Sequence, residues 1–306
     1  MTDLAEKAAI AVVGAGLMGA GIAQVFASAG HRVALFDAVE NARETALPRI
    51  RENLVAVGRD PSVSAAITLH EKLGDAVAEA DFVIEAAPEN LPLKQEIFLA
   101  VEAAAKPRAI LASNTSVIPI TQIMEKLADK TRALGTHWWN PAYLVPLVEV
   151  IRTADVSDAA VTATLALLAS VGKTAVEVKK DVAGFVGNRL QHALWREAIA
   201  LVNDGVCDAE TVDQVVKASF GRRLAVLGPL ENADMVGTDL TLAIQQYVLP
   251  HIEASPNASP YLERLVADGK LGFKTSQGFR SWRKDQQAAL RRRVAEHLIM
   301  LDRAGV

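Results

Sequence analysis

Ala8-Ala9-Ile10-Ala11-Val12-Val13-Gly14-Ala15-Gly16-Leu17-Met18-Gly19 decides the fold of this chain. A short apolar run with β-branched residues leads into glycines at the G-x-G-x-x-G spacing. Ile22 to Ala29 then continues with apolar residues at helical intervals. After Gly30, Arg32-Val33-Ala34-Leu35-Phe36 reads as a second buried strand ending at Asp37. Strand, glycine turn, helix and strand make a βαβ unit. Gly14 permits the tight turn, Gly16 lets backbone amides approach a pyrophosphate, and Gly19 lets helix and strand pack closely. The helix N-terminus at Leu17 and Met18 offers amides and a partial positive charge to phosphate oxygens. Asp37 sits about 20 residues beyond the glycines, where a carboxylate accepts hydrogen bonds from a ribose 2′-hydroxyl and repels a 2′-phosphate. The expected cofactor is NAD over NADP, with FAD left open.

Outward from this unit the alternation continues. Asn41 to Val57 reads as a helix, Asp81-Phe82-Val83-Ile84-Glu85 as a strand, Leu93 to Ala105 as a helix and Ile110-Leu111-Ala112 as a strand. Val117 to Lys126 reads as a helix and Arg132 to Gly135 as a strand. Such alternation predicts α/β architecture: a Rossmann-type doubly wound parallel sheet with helices on both faces. Near Asp181 the pattern changes. Arg189 to Asp204, Ala209 to Phe220, Thr238 to Ile252 and Lys284 to Leu301 all read as helices. The expected division is a nucleotide-binding domain over 1–180 and an all-helical C-terminal domain over 181–306.

Composition narrows the function. The chain has 306 residues, 51% hydrophobic and 22% charged, which suits two domains with full cores. The net charge of −4 gives no basic field for nucleic acid or an anionic membrane. The lone cysteine, Cys207, excludes an internal disulfide and a cysteine-based metal site, and no metal is expected. Met1 to Lys7 carries acids and does not read as a signal peptide. No apolar stretch approaches the roughly 20 residues of a membrane span. These features lead us to expect a cytoplasmic protein.

The chemistry is concentrated in His137-Trp138-Trp139-Asn140-Pro141 and Leu147-Val148-Glu149-Val150. A carboxylate inside an apolar run needs a partner, and a His–Glu pair is one way to build a general base. Ser113-Asn114-Thr115-Ser116 follows a strand, as His137 does. Both therefore belong beyond the carboxyl ends of strands, where doubly wound sheets bind ligands.

Together these motifs resemble the 3-hydroxyacyl-CoA dehydrogenase family over nearly the whole chain and in order. The series runs through the glycine loop and Asp37, Glu85-Ala86-Ala87-Pro88-Glu89-Asn90-Leu91 with Lys94, Ser113 to Ser116, His137 to Pro141 and Glu149. It continues with Gly184 to Arg189, Gly228-Pro229-Leu230 with Asp234, and Gly272-Phe273-Lys274 to Phe279. The resemblance implies that His137 is the base taking the substrate hydroxyl proton and that Glu149 orients its imidazole. Ser116 and Asn188 would position the reacting oxygen. Asn140 would contact the nicotinamide end, and Glu89, Lys94 and Lys274 the cofactor. It also implies pairing of the helical domains into a homodimer, for which the apolar faces of Val186 to Val202 and Leu240 to Leu249 are candidates.

Three departures bear on substrate. Acyl-CoA members carry a longer, lysine-rich hairpin for CoA phosphates, whereas Ala42 to Ala80 holds only Lys72 with Arg43, Arg49, Arg51 and Arg59. Trp138-Trp139 stand where those members commonly have phenylalanines; the indoles either narrow the pocket or pack in the core. Gly221-Arg222-Arg223-Leu224 and the segments at Pro141 and Lys180 are similar to the branch containing L-gulonate 3-dehydrogenase and lambda-crystallin. Arg222 or Arg223 could fork onto a substrate carboxylate. Gly272 to Phe279 is similar both to acyl-CoA enzymes and to a branch acting on a pyridine-carboxylate aldehyde. The expectation is an NAD-dependent dehydrogenase of a small 3-hydroxy acid with a free carboxylate. The alternatives are a short-chain 3-hydroxyacyl-CoA dehydrogenase of fatty-acid metabolism and a non-catalytic crystallin-like NAD-binding protein.

Overall fold

A computed structural model of the chain describes residues 7–304; Met1–Glu6, most of the stretch read against a signal peptide, lie outside the described residues. The chain divides into two compact units, Met1–Asn188 and Arg189–Val306. The expected boundary at Asp181 precedes this one, because residues 186–188 are bonded into the first unit, as described below.

In the first unit eight strands form one sheet: β1 (Ile10–Val13), β2 (Val33–Phe36), β3 (Ile67–His70), β4 (Phe82–Glu85), β5 (Ile110–Ser113), β6 (Ala133–Trp138), β7 (Leu147–Ile151) and β8 (Thr174–Val178). Their order is β3-β2-β1-β4-β5-β6-β7-β8. Neighbours run parallel except β6 and β7, which pair antiparallel. The helices are α1 (Leu17–Ser28), α2 (Glu40–Ala56), α3 (Leu73–Val77), α4 (Leu91–Ala104), α5 (Ile120–Ile123) and α6 (Asp158–Ser170). The order reverses between β1 and β4, and a ligand crevice opens at such a switch point.

The core is two apolar layers, one on each face. Ile10 and Val12 of β1 join one cluster with Phe26, Leu35, Ile84 and Val148; Ala11 and Val13 join the other with Val83, Phe98, Leu111 and Ile151. Successive strand residues point to opposite faces, so a strand buried on both sides reads as a continuous apolar run. The expected helix from Val117 to Lys126 shrinks to the four residues of α5, preceded by Pro119. Proline sets φ for a helix start but removes a donor, and it disfavours helix in the residue before it.

The second unit contains α7 (Gly187–Asn203, which begins in the first unit), α8 (Ala209–Ala218), α9 (Pro229–Val236), α10 (Thr238–Val248), α11 (Pro260–Ala267) and α12 (Lys284–Ala304). Among its described residues only Leu265 and Gln287 are buried. Among the described residues no helix is long and apolar enough to cross a membrane.

Candidate active site

The glycine loop is shaped by contacts that leave no room for side chains. Gly14 has φ 109°, and a Cβ there would lie 2.6 Å from the Ala86 carbonyl oxygen. A Cβ on Gly19 would lie 1.7 Å from the Gly14 carbonyl oxygen. Gly16 differs, with open space within 4 Å of where its Cβ would be. It also caps α1 without a side-chain hydrogen bond, so the opening amides of that 12-residue helix face no internal acceptor from the cap. Open space beside uncapped amides fits a dinucleotide's pyrophosphate. At the end of β2, Asp37 accepts hydrogen bonds from the Ala15 amide (2.7 Å, Oδ2) and the Val39 amide (2.9 Å, Oδ1). Arg49 Nη1 donates to the Ala15 carbonyl at 3.3 Å, so the Ala15 peptide is held at both ends.

Beyond β4 and β5 lies a buried charge network. Glu85, wholly buried, accepts from Lys94 Nζ (2.7 Å), the Ala87 amide (2.7 Å) and Ser113 Oγ (2.6 Å). Lys94 Nζ also donates to the Ala87 carbonyl at 3.2 Å and lies 3.7 Å from Glu89 Oε2. Lys94, expected at the cofactor, is itself fully buried and bonded within the Glu85–Glu89 turn. Glu89 Oε1 in turn accepts from Thr115 Oγ1 (2.5 Å) and the amides of Ser116 (3.1 Å) and Val117 (3.1 Å). Burial pushes the Glu89 carboxyl up. The bonds from Thr115, Val117 and Ile118, with the Lys94 charge, outweigh it and hold the group below its usual value.

His137, on β6, is 3% exposed. Its Nδ1 lies 2.7 Å from Oε2 of Glu149, on β7. An ionised carboxylate only accepts, so Nδ1 carries the hydrogen, and the neutral imidazole then has its lone pair on Nε2. Oε1 of Glu149 accepts from the amides of Val186 (2.9 Å) and Gly187 (3.0 Å). These amides follow Gly184 and Phe185, both at positive φ (74° and 49°), an arrangement that curls successive amides around an anion. Burial pushes the Glu149 carboxyl up. The bonds from His137 and the two amides pull it further the other way, and it rests below the ordinary carboxylate value. Asn188 Nδ2 donates to the Ser116 carbonyl at 2.9 Å. His137, Glu149, Asn188 and Ser116 therefore belong to one bonded arrangement within the first unit.

The two tryptophans part company. Trp138 is core: it is buried against Phe26 (ring centroids 5.9 Å), lies under Lys173 Nζ (5.5 Å), and its amide donates to Asn114 Oδ1 at 2.9 Å. Trp139 lies beside the imidazole, its centroid 5.2 Å from that of His137. Asn140 is exposed, at a cis bond to Pro141. Lys274, Arg222 and Arg223 are exposed residues of the helical unit. Arg222 lines a cavity of about 490 Å³ with Glu210, Gln214, Lys217 and Arg280. Sequence reasoning gave no role to Glu85, although a carboxylate closing an apolar strand is the same signal that singled out Glu149. It also gave no individual role to Asn114, Phe185 or Arg49.

Comparison with known proteins decides the family. The NAD-binding domain of 3-hydroxyacyl-CoA dehydrogenase matches residues 9–182, and its C-terminal domain matches residues 184–282. The chain belongs to the 3-hydroxyacyl-CoA dehydrogenase family. Among curated relatives, 5-formyl-3-hydroxy-2-methylpyridine 4-carboxylate 5-dehydrogenase of Mesorhizobium japonicum is 33% identical over 304 residues, covering 96% of this chain and 97% of the relative. A probable 3-hydroxybutyryl-CoA dehydrogenase of Bacillus subtilis is 37% identical over 279 residues, covering 88% of this chain and 96% of the relative. A crystal structure of the pyridine-carboxylate enzyme, described as an NAD+ dependent dismutase, superposes with TM-score 0.90 at 34% identity and covers 97% of each chain. The protein is an NAD-dependent dehydrogenase acting on a hydroxyl group. The finer resemblance to L-gulonate 3-dehydrogenase and lambda-crystallin is not carried by these relatives.

Proposed function

We propose that the enzyme oxidises the hydroxyl of a small 3-hydroxy acid bearing a free carboxylate, with His137 as the base. The observation that carries this reading is the buried His137–Glu149 pair, which leaves Nε2 as the basic atom. Bound NAD supplies the hydride acceptor. In the same step His137 Nε2 takes the hydroxyl proton, and Glu149 stabilises the imidazolium that forms. Asn188 and Ser116 hold the reacting oxygen, Asp37 and the loop from Gly14 to Gly19 seat the cofactor, and Glu89, Asn140 and Lys274 border it.

A free acid is favoured over a CoA thioester because three of the five cations between β2 and β4 are committed within the fold. Arg43 donates to the Asp37 carbonyl, Arg49 to the Ala15 carbonyl, and Arg51 to Ser64 Oγ. The pyridine-carboxylate relative points the same way. For the substrate carboxylate we nominate Arg222 and Arg223. We place the enzyme in the cytoplasm as a homodimer joined through the helical unit. Its α7 and α10 leave Leu190, Leu194, Trp195, Leu240, Ile244 and Tyr247 exposed.

Reduction of NAD, followed by NADH absorbance across hydroxy acids, aldehyde acids and short hydroxyacyl-CoAs, tests the substrate. Efficient saturation with 3-hydroxybutyryl-CoA would replace the free-acid reading with the acyl-CoA one. His137→Ala is expected to abolish turnover while NAD still binds; unchanged turnover would remove His137 from the mechanism.

A further inference from the structure

The imidazole of His137 is bracketed by two aromatic rings. Trp139 has its centroid 5.2 Å away and Phe185 5.6 Å away, each tilted 52° to the imidazole plane. Both distances fall within the range at which a ring's electrons attract a cation, and tryptophan provides the strongest such attraction. The attraction acts only once the imidazole is protonated. An attraction of this kind favours a protonated ring over a neutral one.

Trp139 is held in this place by a size match. A Cβ on Gly187 would lie 2.4 Å from Trp139 Cζ2, so the indole fits only because residue 187 has no side chain. The same Gly187 donates its amide to Glu149 at 3.0 Å. One glycine thus seats both the ring beside the imidazole and the carboxylate bonded to it. The indole Nε1 is buried without a hydrogen-bond partner.

We propose that Trp139 is a positioning residue that sets the proton affinity of His137, locked in place by Gly187. The proposal rests on His137 being the base. Among the described residues the charged group bonded to the imidazole is Glu149. The rings beside it, Trp139 and Phe185, are neutral, as are the Val186 and Gly187 amides bonded to Glu149. The buried Glu85–Lys94 pair and Glu89 are bonded into the loops after β4 and β5, and Asp181 is bonded to Ile120 and Thr121. Substitution at residue 139 alters none of these partners, so a shift in the pH profile reports on the indole.

The test is the pH dependence of kcat for hydroxyl oxidation, at saturating NAD, in W139L and W139F. Leucine keeps the site dry but removes the ring electrons. Its acidic limb is expected to move to lower pH by about 0.5 unit, a roughly threefold loss of proton affinity, with W139F between it and the parent. KM for NAD is expected to hold. G187A is expected to lose activity by displacing the indole, and W139F/G187A to recover most of it. An unmoved limb in folded W139L would overturn the proposal. So would a shift to higher pH, which would mean that the ring acts only by excluding water. If instead H137A retains turnover, the failure lies with His137 as base and not with Trp139.

Discussion

His137 and Glu149 stand directly opposite each other across β6 and β7, the antiparallel pairing in this otherwise parallel sheet. Twelve residues apart in sequence, they meet because the register places them so, and the 2.7 Å contact follows. Directly opposed residues are the closest side-chain neighbours a sheet offers.

Glu149 serves two sets of donors, and a glutamine satisfies only one of them. In E149Q the amide group must turn its NH2 either toward His137 Nδ1–H or toward the Val186 and Gly187 amides. We expect kcat to fall by about 10²–10⁴-fold, as when an orienting acid is replaced by its amide elsewhere, together with a lower melting temperature. A variant melting as the parent does with full kcat would show that the carboxylate's charge is dispensable.

The same carboxyl links stability to acid. Its folded value is depressed, so the unfolded chain binds its proton at a higher pH than the native protein does. Stability from this group is complete above the ordinary carboxylate value, near 4.3, and is lost as pH falls through the lower folded value. Glu89 acts in the same sense. Denaturant titrations between pH 6 and pH 3 (roughly the carboxylate range) should show the parent losing stability more steeply than E149Q.

Lys94→Met leaves the Glu85 carboxylate buried without its counter-charge. Breaking such a pair from one side costs about 3–5 kcal/mol. We expect that loss in urea titrations, and partial recovery in K94M/E85Q. Loss of NAD binding with no loss of stability would instead favour direct contact between Lys94 and the cofactor.

Asp37→Ala should weaken NAD about tenfold or more, since it removes the proposed ribose acceptor and frees the Ala15 amide. Discrimination against NADP should relax. Equal affinities in parent and variant, measured by calorimetry, would place the ribose elsewhere.

Much of this site was legible in the sequence because its signals are local. The glycine spacing, Asp37 closing a strand, and a carboxylate in the apolar run at Glu149 each declare themselves within a few residues. Features that depend on long-range pairing did not. β3 and β8 are edge strands, and β8 is largely exposed, with Thr-Ala-Val-Glu-Val giving little contrast between faces. The antiparallel turn of β7 leaves no trace in composition. The pairing of Lys94, expected at the cofactor, with Glu85 is hidden because its partner lies nine positions earlier, across a turn that only the fold closes.

The helical unit, with only Leu265 and Gln287 buried among its described residues, has almost no interior of its own. A unit of this kind draws its stability from whatever covers it. If a second copy provides that cover, resistance to heat becomes a property of the population: dilution lowers it, and crowding copies together raises it. A defect on one copy's apolar face would then be inherited by its neighbour, so a mixture of sound and altered chains would lose more activity than the altered fraction alone.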